Sequence, residues 1–191
     1  MCRCLRSFAL VGGFTLLSVV GLMMGPSAKG GTESAHDFTF ESIDGEPLPM
    51  SRFAGQPVLV VNTASMCGFT PQYEGFQTLW QRYRDRGLVL VGVPSNDFGG
   101  QEPGSEREIK KFCEVNFNVD FPLTAKQTVI GPEAHPLFQW FVETKGEGVA
   151  PRWNFHKYLV APDGSLADTW PSRVTPLSDE VTQAIEATLN H

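Results

Sequence analysis

The sequence predicts an α/β domain in which a central mixed β-sheet is flanked by helices and preceded by an N-terminal β-hairpin. Three observations carry this. Two short apolar runs, VLVV at residues 58–61 and LVLVGVP at residues 88–94, have the length and composition of strands covered on both faces. Between them, Phe76, Leu79, Trp80 and Tyr83 recur at the spacing of one helical face. Further on, RWNFHKYLVAPDGSLADTW reads as two strands about Asp163-Gly164, a dipeptide suited to a hairpin turn.

The elements follow in chain order. In DFTFESIDGEPLP, residues 37–49, the alternation of Phe38, Phe40 and Ile43 and the turn at Asp44-Gly45 predict a short hairpin. Pro57 introduces the first buried strand, and the loop SMCGFTP follows it. The helix in YEGFQTLWQRYRDRG ends at Gly87, which frees the chain to leave the helical conformation. After the second buried strand comes the loop SNDFGGQEPGS. Ser105, with Glu108 three residues on, forms a reciprocal cap for a helix across EREIKKFCEVN. FPL after Asp120 is a short extended piece, His135-Pro136 opens a helix in PLFQWFVETK, and Ser178 caps the last helix, DEVTQAIEATL. A strand–helix–strand start with apolar strands implies a right-handed crossover and parallel pairing, to which the closing hairpin adds antiparallel strands. This is the arrangement of the thioredoxin-like fold.

The 191 residues suit one domain plus a short extension, and 41% hydrophobic against 19% charged residues suit a packed core. The net charge is −6, and beyond residue 28 the chain carries 13 Lys and Arg against 21 Asp and Glu. Such an acidic chain lacks the electrostatic footprint of a nucleic-acid binder. The N-terminus differs: Arg3 and Arg6 precede the apolar run FALVGGFTLLSVVGLMM, and small and polar residues follow. Two adjacent glycines and the absence of a polar face set this run apart from a core helix. It reads as an export signal or an uncleaved membrane anchor across residues 1–28, followed by a flexible linker at 29–36 and the folded domain at 37–191. The expected location is the periplasm, or the outer face of the inner membrane, with the membrane touched only through this segment.

Cys2 and Cys4 precede the apolar run, so the exported domain holds Cys67 and Cys113. Cys67 falls in the turn between a buried strand and a helix. The backbone N–H groups and the dipole at a helix N-terminus favour negative charge, and a thiolate placed there is the nucleophile that attacks an O–O bond. Gly68 removes side-chain bulk beside the sulfur. An oxidising compartment leaves a second reading open, a structural Cys67–Cys113 disulfide. No C-x-x-C, HExxH or GxGxxG motif is present, and His135 and His156 are isolated, so neither a metal nor a nucleotide cofactor is expected.

Three blocks in order, NTASMCGFTPQY, FGGQEPGS and RWNFHKYLV, resemble the signature stretches of the glutathione peroxidase family, in its cysteine-type, bacterial-like form. The resemblance covers about residues 38–189. It implies a thiol-dependent peroxidase that reduces hydrogen peroxide and organic hydroperoxides through a Cys67 sulfenic acid. The family's peroxidatic residue with its Gln, Trp and Asn partners falls on Cys67, Gln101, Trp153 and Asn154. Gln101 would offer an amide N–H to the sulfur and an oxygen to the peroxide, Trp153 an indole N–H and a flat wall, and Asn154 a further donor. Taken singly, these three would read as a surface Gln, a core Trp and a turn Asn.

Cys113, in KKFCEVNF, resembles the helix cysteine of many non-animal members, which implies a resolving role through a Cys67–Cys113 disulfide and a thioredoxin-like reductant, with glutathione also possible. Its bland alternative is a buried free thiol. Ser95 stands where many members place another cysteine, Asp97 stands where Gln is common, and the glutathione-binding basic positions of animal members are not recognisable. Two rivals share the fold: a thiol–disulfide oxidoreductase, which would lack its usual second cysteine, and a peroxide sensor that oxidises once without turnover.

Overall fold

The computed structural model of the chain describes Met1 and residues 33–190. The expected export segment, beyond Met1, and residues 29–32 of the expected linker lie outside the described residues.

A short antiparallel hairpin opens the domain. β1 (Thr39–Glu41) pairs with β2 (Pro47–Pro49), and Phe40 stands opposite Leu48, both buried. Each strand has only three residues. Ile43 therefore falls in the connecting turn, where its N–H bonds to the Leu123 carbonyl at 2.9 Å. The main sheet has the order β4-β3-β5-β6. β3 (Val58–Thr63) and β4 (Val89–Pro94) are buried along their whole length and run parallel, joined by α1 (Gln72–Tyr83). β5 (Lys157–Val160) lies antiparallel on the other side of β3, and β6 (Leu166–Trp170) is antiparallel to β5. The remaining helices are α2 (Glu106–Phe117), α3 (Pro136–Lys145) and α4 (Asp179–Leu189).

Alternation along the central strands sorts the core into two layers, as a period of two requires. Val58, Val60, Val91, Tyr158 and Val160 pack with Phe138 and Phe141 of α3. Leu59, Val61, Leu90 and Leu159 pack with Phe76 and Leu79 of α1, with Ile109 and Cys113 of α2, and with Val181 and Ile185 of α4. The expected capping box of α2 is present, Glu108 accepting from the Ser105 N–H at 2.8 Å. FPL runs beside β4, where the Gly92 N–H donates to the Pro122 carbonyl at 2.9 Å. Gly92 lets the two segments approach this closely, since a β-carbon would come within 2.6 Å of a Leu123 methyl and make that side chain move.

The start of the domain differs from expectation. Ser34 caps a 3-10 turn at Ala35–Asp37 and forms a capping box with Asp37, while Ala35 is fully buried and its N–H bonds to the Gly164 carbonyl at 2.9 Å. Among the described residues, ordered structure is thus already present at Ser34, inside the stretch expected to be linker. The cause is a local cap and one small side chain that fits against the β5–β6 turn. That turn lies at the Val58 end of β3, and Cys67 follows the opposite end, beyond Thr63.

Candidate active site

Cys67 sits in the loop of residues 64–71 that joins β3 to α1. Its side chain is 7% exposed, its neighbour Met66 is 69% exposed, and a β-carbon on Gly68 would meet nothing within 4 Å. The space beside Gly68 is therefore open, while Cys67 itself is largely enclosed. α1 begins only at Gln72, so Cys67 does not touch the helix N-terminus itself. A chain of turns leads up to it: Thr70 N–H to Cys67 O at 3.0 Å, Gln72 N–H to Phe69 O at 2.9 Å, and Tyr73 N–H to Thr70 O at 3.1 Å. The amide that faces the sulfur is Phe69 N–H, at 3.5 Å from Sγ. A tight-turn amide stands in place of the expected helix-end donors.

Thr70 holds this loop from within. Its hydroxyl accepts from Cys67 N–H at 3.0 Å and donates to the Ala64 carbonyl at 2.9 Å, both buried. One side chain thus satisfies two main-chain groups that have no ladder to join. Nothing in the sequence pattern singled it out.

Gln101 reaches the same loop by its main chain, since Met66 N–H donates to the Gln101 carbonyl at 3.0 Å. Its side-chain oxygen accepts from Asn154 Nδ2 at 2.9 Å. Gln101 and Asn154 are thereby joined beside the residue that precedes Cys67. The arrangement refines the expected division of labour. One Asn154 donor is spent on Gln101, whose side-chain oxygen keeps a second lone pair. Asn154 is fully buried and its Oδ1 has no hydrogen-bond partner among the described residues. Trp153 is 40% exposed, with its ring 5.9 Å from that of Phe98, so it forms a wall at the surface rather than part of the core.

The segment carrying Trp153 and Asn154 is clamped by Asn62, at the end of β3. Asn62 Nδ2 donates to Trp153 O at 3.2 Å, its Oδ1 accepts from His156 N–H at 3.0 Å, and its carbonyl accepts from Phe155 N–H at 2.6 Å. Phe155 adopts φ +66°, a left-handed conformation that costs a non-glycine residue about 1–3 kcal/mol. Like Thr70, Asn62 went unnoticed in the sequence, hidden in an apolar strand.

Cys113 is fully buried on α2 and is a free thiol, as is Cys67. A structural Cys67–Cys113 bridge is absent. Burial pushes the Cys113 thiol up to about 11, and the Tyr73 hydroxyl beside it partly offsets this. Glu102, next to Gln101, is 1% exposed, and burial raises its pKa. Among the described residues no group of three or more His, Cys, Asp or Glu could hold a metal ion.

A sulfur at an open turn, an amide aimed at it, and an amide pair tied to its loop define a peroxidase that works through a thiol on a thioredoxin-like fold. The chain belongs to the glutathione peroxidase family: the family model "Glutathione peroxidase" matches residues 35–142. The hydroperoxy fatty acid reductase gpx1 of Synechocystis sp. is 43% identical over 162 residues, covering 81% of this chain and 95% of that protein. The glutathione peroxidase-like peroxiredoxin gpx1 of Schizosaccharomyces pombe is 45% identical over 143 residues, 74% of this chain and 90% of that one. Among solved structures, T. cruzi GPX1 superposes with a TM-score of 0.66 at 29% identity, covering 83% of this chain and 97% of its own. MTB dsbF superposes with a TM-score of 0.57 at 15% identity, covering 83% and 99%, which shows the shared fold alone.

Proposed function

We propose that the chain reduces hydrogen peroxide and organic hydroperoxides, hydroperoxy fatty acids among them, with Cys67 as nucleophile and Gln101, Trp153 and Asn154 as its polar surround. The Cys67 thiolate attacks one peroxide oxygen, the O–O bond breaks, and the departing oxygen takes a proton and leaves as water or an alcohol. The sulfur becomes a sulfenic acid. Neutral donors suffice to stabilise the charge that develops on the departing oxygen. The single observation that carries this reading is the Asn154–Gln101 hydrogen bond at 2.9 Å, anchored to the Cys67 loop through Met66. Relatives at 43–45% identity, a hydroperoxy fatty acid reductase and a glutathione peroxidase-like peroxiredoxin, support it.

In the second half of the cycle the Cys113 thiol condenses with the sulfenic acid. A disulfide forms, the S–O bond breaks, and water leaves with the thiol proton. A dithiol protein of the thioredoxin type then returns both sulfurs to thiols. Cys113 lies inside an intact helix, so α2 has to open for this step. Direct reduction of the sulfenic acid by glutathione is the competing route. The N-terminal segment supports export, to the periplasm or to the outer face of the inner membrane, and cell fractionation tests this.

A thiol–disulfide oxidoreductase is disfavoured because Gly68, Phe69 and Thr70 supply no second thiol beside Cys67. The deciding experiment measures peroxide consumption by purified protein with either a thioredoxin system or glutathione. Turnover is expected with the former and should vanish in Cys67→Ser. Persistence in that variant removes Cys67 as nucleophile, and a single stoichiometric oxidation without turnover indicates a sensor.

A further inference from the structure

Lys157 opens β5 and is entirely enclosed. Among the described residues no carboxylate pairs with it. Its ammonium donates to the Phe155 carbonyl at 2.7 Å, reaches the Ser172 carbonyl at 3.5 Å, and lies 5.6 Å from the centre of the Phe76 ring on α1. An enclosed ammonium without a counter-ion destabilises a fold, and an apolar side chain of similar length would suit the position better. Burial alone pulls its pKa down to about 7. A group that costs stability and is nonetheless present calls for a local task.

The task is visible in what the ammonium holds. Phe155 carries the left-handed φ of +66°, and the other non-glycine residue with positive φ among those described, Asn118, merely ends α2. The Phe155 N–H is fixed by Asn62, and its carbonyl is fixed by Lys157. Without the ammonium that carbonyl would lose the donor 2.7 Å from it in an apolar enclosure, and the peptide would gain by turning away. Trp153 and Asn154 immediately precede it, so any such turn separates Asn154 from Gln101.

We propose that Lys157 is a positioning residue for the peroxidase reaction: by anchoring the Phe155 carbonyl it holds the left-handed turn that keeps Asn154 on Gln101 and Trp153 beside Phe98. This rests on the reading of Gln101, Trp153 and Asn154 as the surround of Cys67. It also accounts for a strained residue and an uncompensated cation by one contact between them.

The test is Lys157→Met in the full chain, followed by thermal melting, rapid-mixing measurement of Cys67 oxidation by hydrogen peroxide, and Trp153 emission taken as the difference from matched Trp153→Phe proteins. Melting is expected at the wild-type temperature or above. Cys67 oxidation should slow about tenfold to a hundredfold, the usual consequence of an ångström-scale misplacement. Trp153 emission should shift. An oxidation rate within twofold of wild type overturns the proposal, as does a rate loss that accompanies a lower melting temperature with unchanged Trp153 emission. Wild-type protein whose Cys67 is not oxidised overturns the peroxidase assignment and this proposal together. Normal wild-type oxidation with an unaffected Lys157→Met overturns this proposal alone.

Discussion

Asn154 donates its side-chain amide to the side-chain oxygen of Gln101 at 2.9 Å, across 53 residues of chain. Two side chains that share one hydrogen bond act as a unit. Gln101→Ala and Asn154→Ala should each slow Cys67 oxidation by about a hundredfold to a thousandfold, the range seen when a preorganised donor is removed. The double variant should be little slower than the worse single one, because the second deletion removes a contact already lost. Stopped-flow measurement of sulfenic acid formation checks this, and effects that multiply would show the two residues acting independently.

Cys113 should be silent until Cys67 is oxidised. A thiol held near pKa 11 within α2 is ionised in roughly one molecule in ten thousand at pH 7 and is shielded as well. Alkylation of reduced protein should therefore label Cys67 well before Cys113. Peroxide treatment should yield a Cys67–Cys113 disulfide by peptide mapping, and Cys113→Ser should keep the first oxidation but lose dithiol-driven turnover. Unchanged steady-state rates in that variant would take Cys113 out of the cycle.

Lys157 also sets a pH dependence of stability. Its pKa is about 7 when folded and near 10.4 for an unfolded chain. Below pH 7 both states hold the proton and the folded state bears the full cost of the enclosed charge. Between those values the unfolded state binds more protons, so stability rises with pH. His156, held at about 4 chiefly by burial, acts in a separate window, contributing stability as pH rises from 4 to about 6.5. Cys113 works oppositely above pH 9, where ionisation favours unfolding. Chemical denaturation from pH 7 to 9 should therefore show wild-type stability climbing, by an amount on the order of a few kcal/mol, relative to Lys157→Met. Parallel curves for the two proteins would contradict the assignment of an enclosed ammonium.

Thr70→Val should damage the loop without touching the sulfur. It leaves the Cys67 N–H and the Ala64 carbonyl buried and unpaired, at a cost of about 1–3 kcal/mol. A lower melting temperature and slower Cys67 oxidation are expected, with Thr70→Ser retaining most of both. Equal loss in the Ser variant would point to the methyl group instead.

The sequence disclosed those features whose cause is local. The apolar runs of β3 and β4, the Ser105–Glu108 cap and the Asp163-Gly164 turn each declare themselves within a few residues. The Gln101–Asn154 pairing is not local, and it was legible only because three motif blocks resemble one family. Asn62 and Lys157 were illegible for a different reason. Each is a polar residue inside or beside an apolar run, where alternation says only that a side chain points inward. What it bonds depends on Phe155 taking a conformation that an aromatic residue rarely adopts. Ala35, a small residue among glycines and polar neighbours, carries no hint that Gly164 will receive it.

Ala35 enters the domain at the Gly164 turn, at the end of the sheet remote from the reactive sulfur. A leash fastened upstream would therefore grip the enzyme by its back.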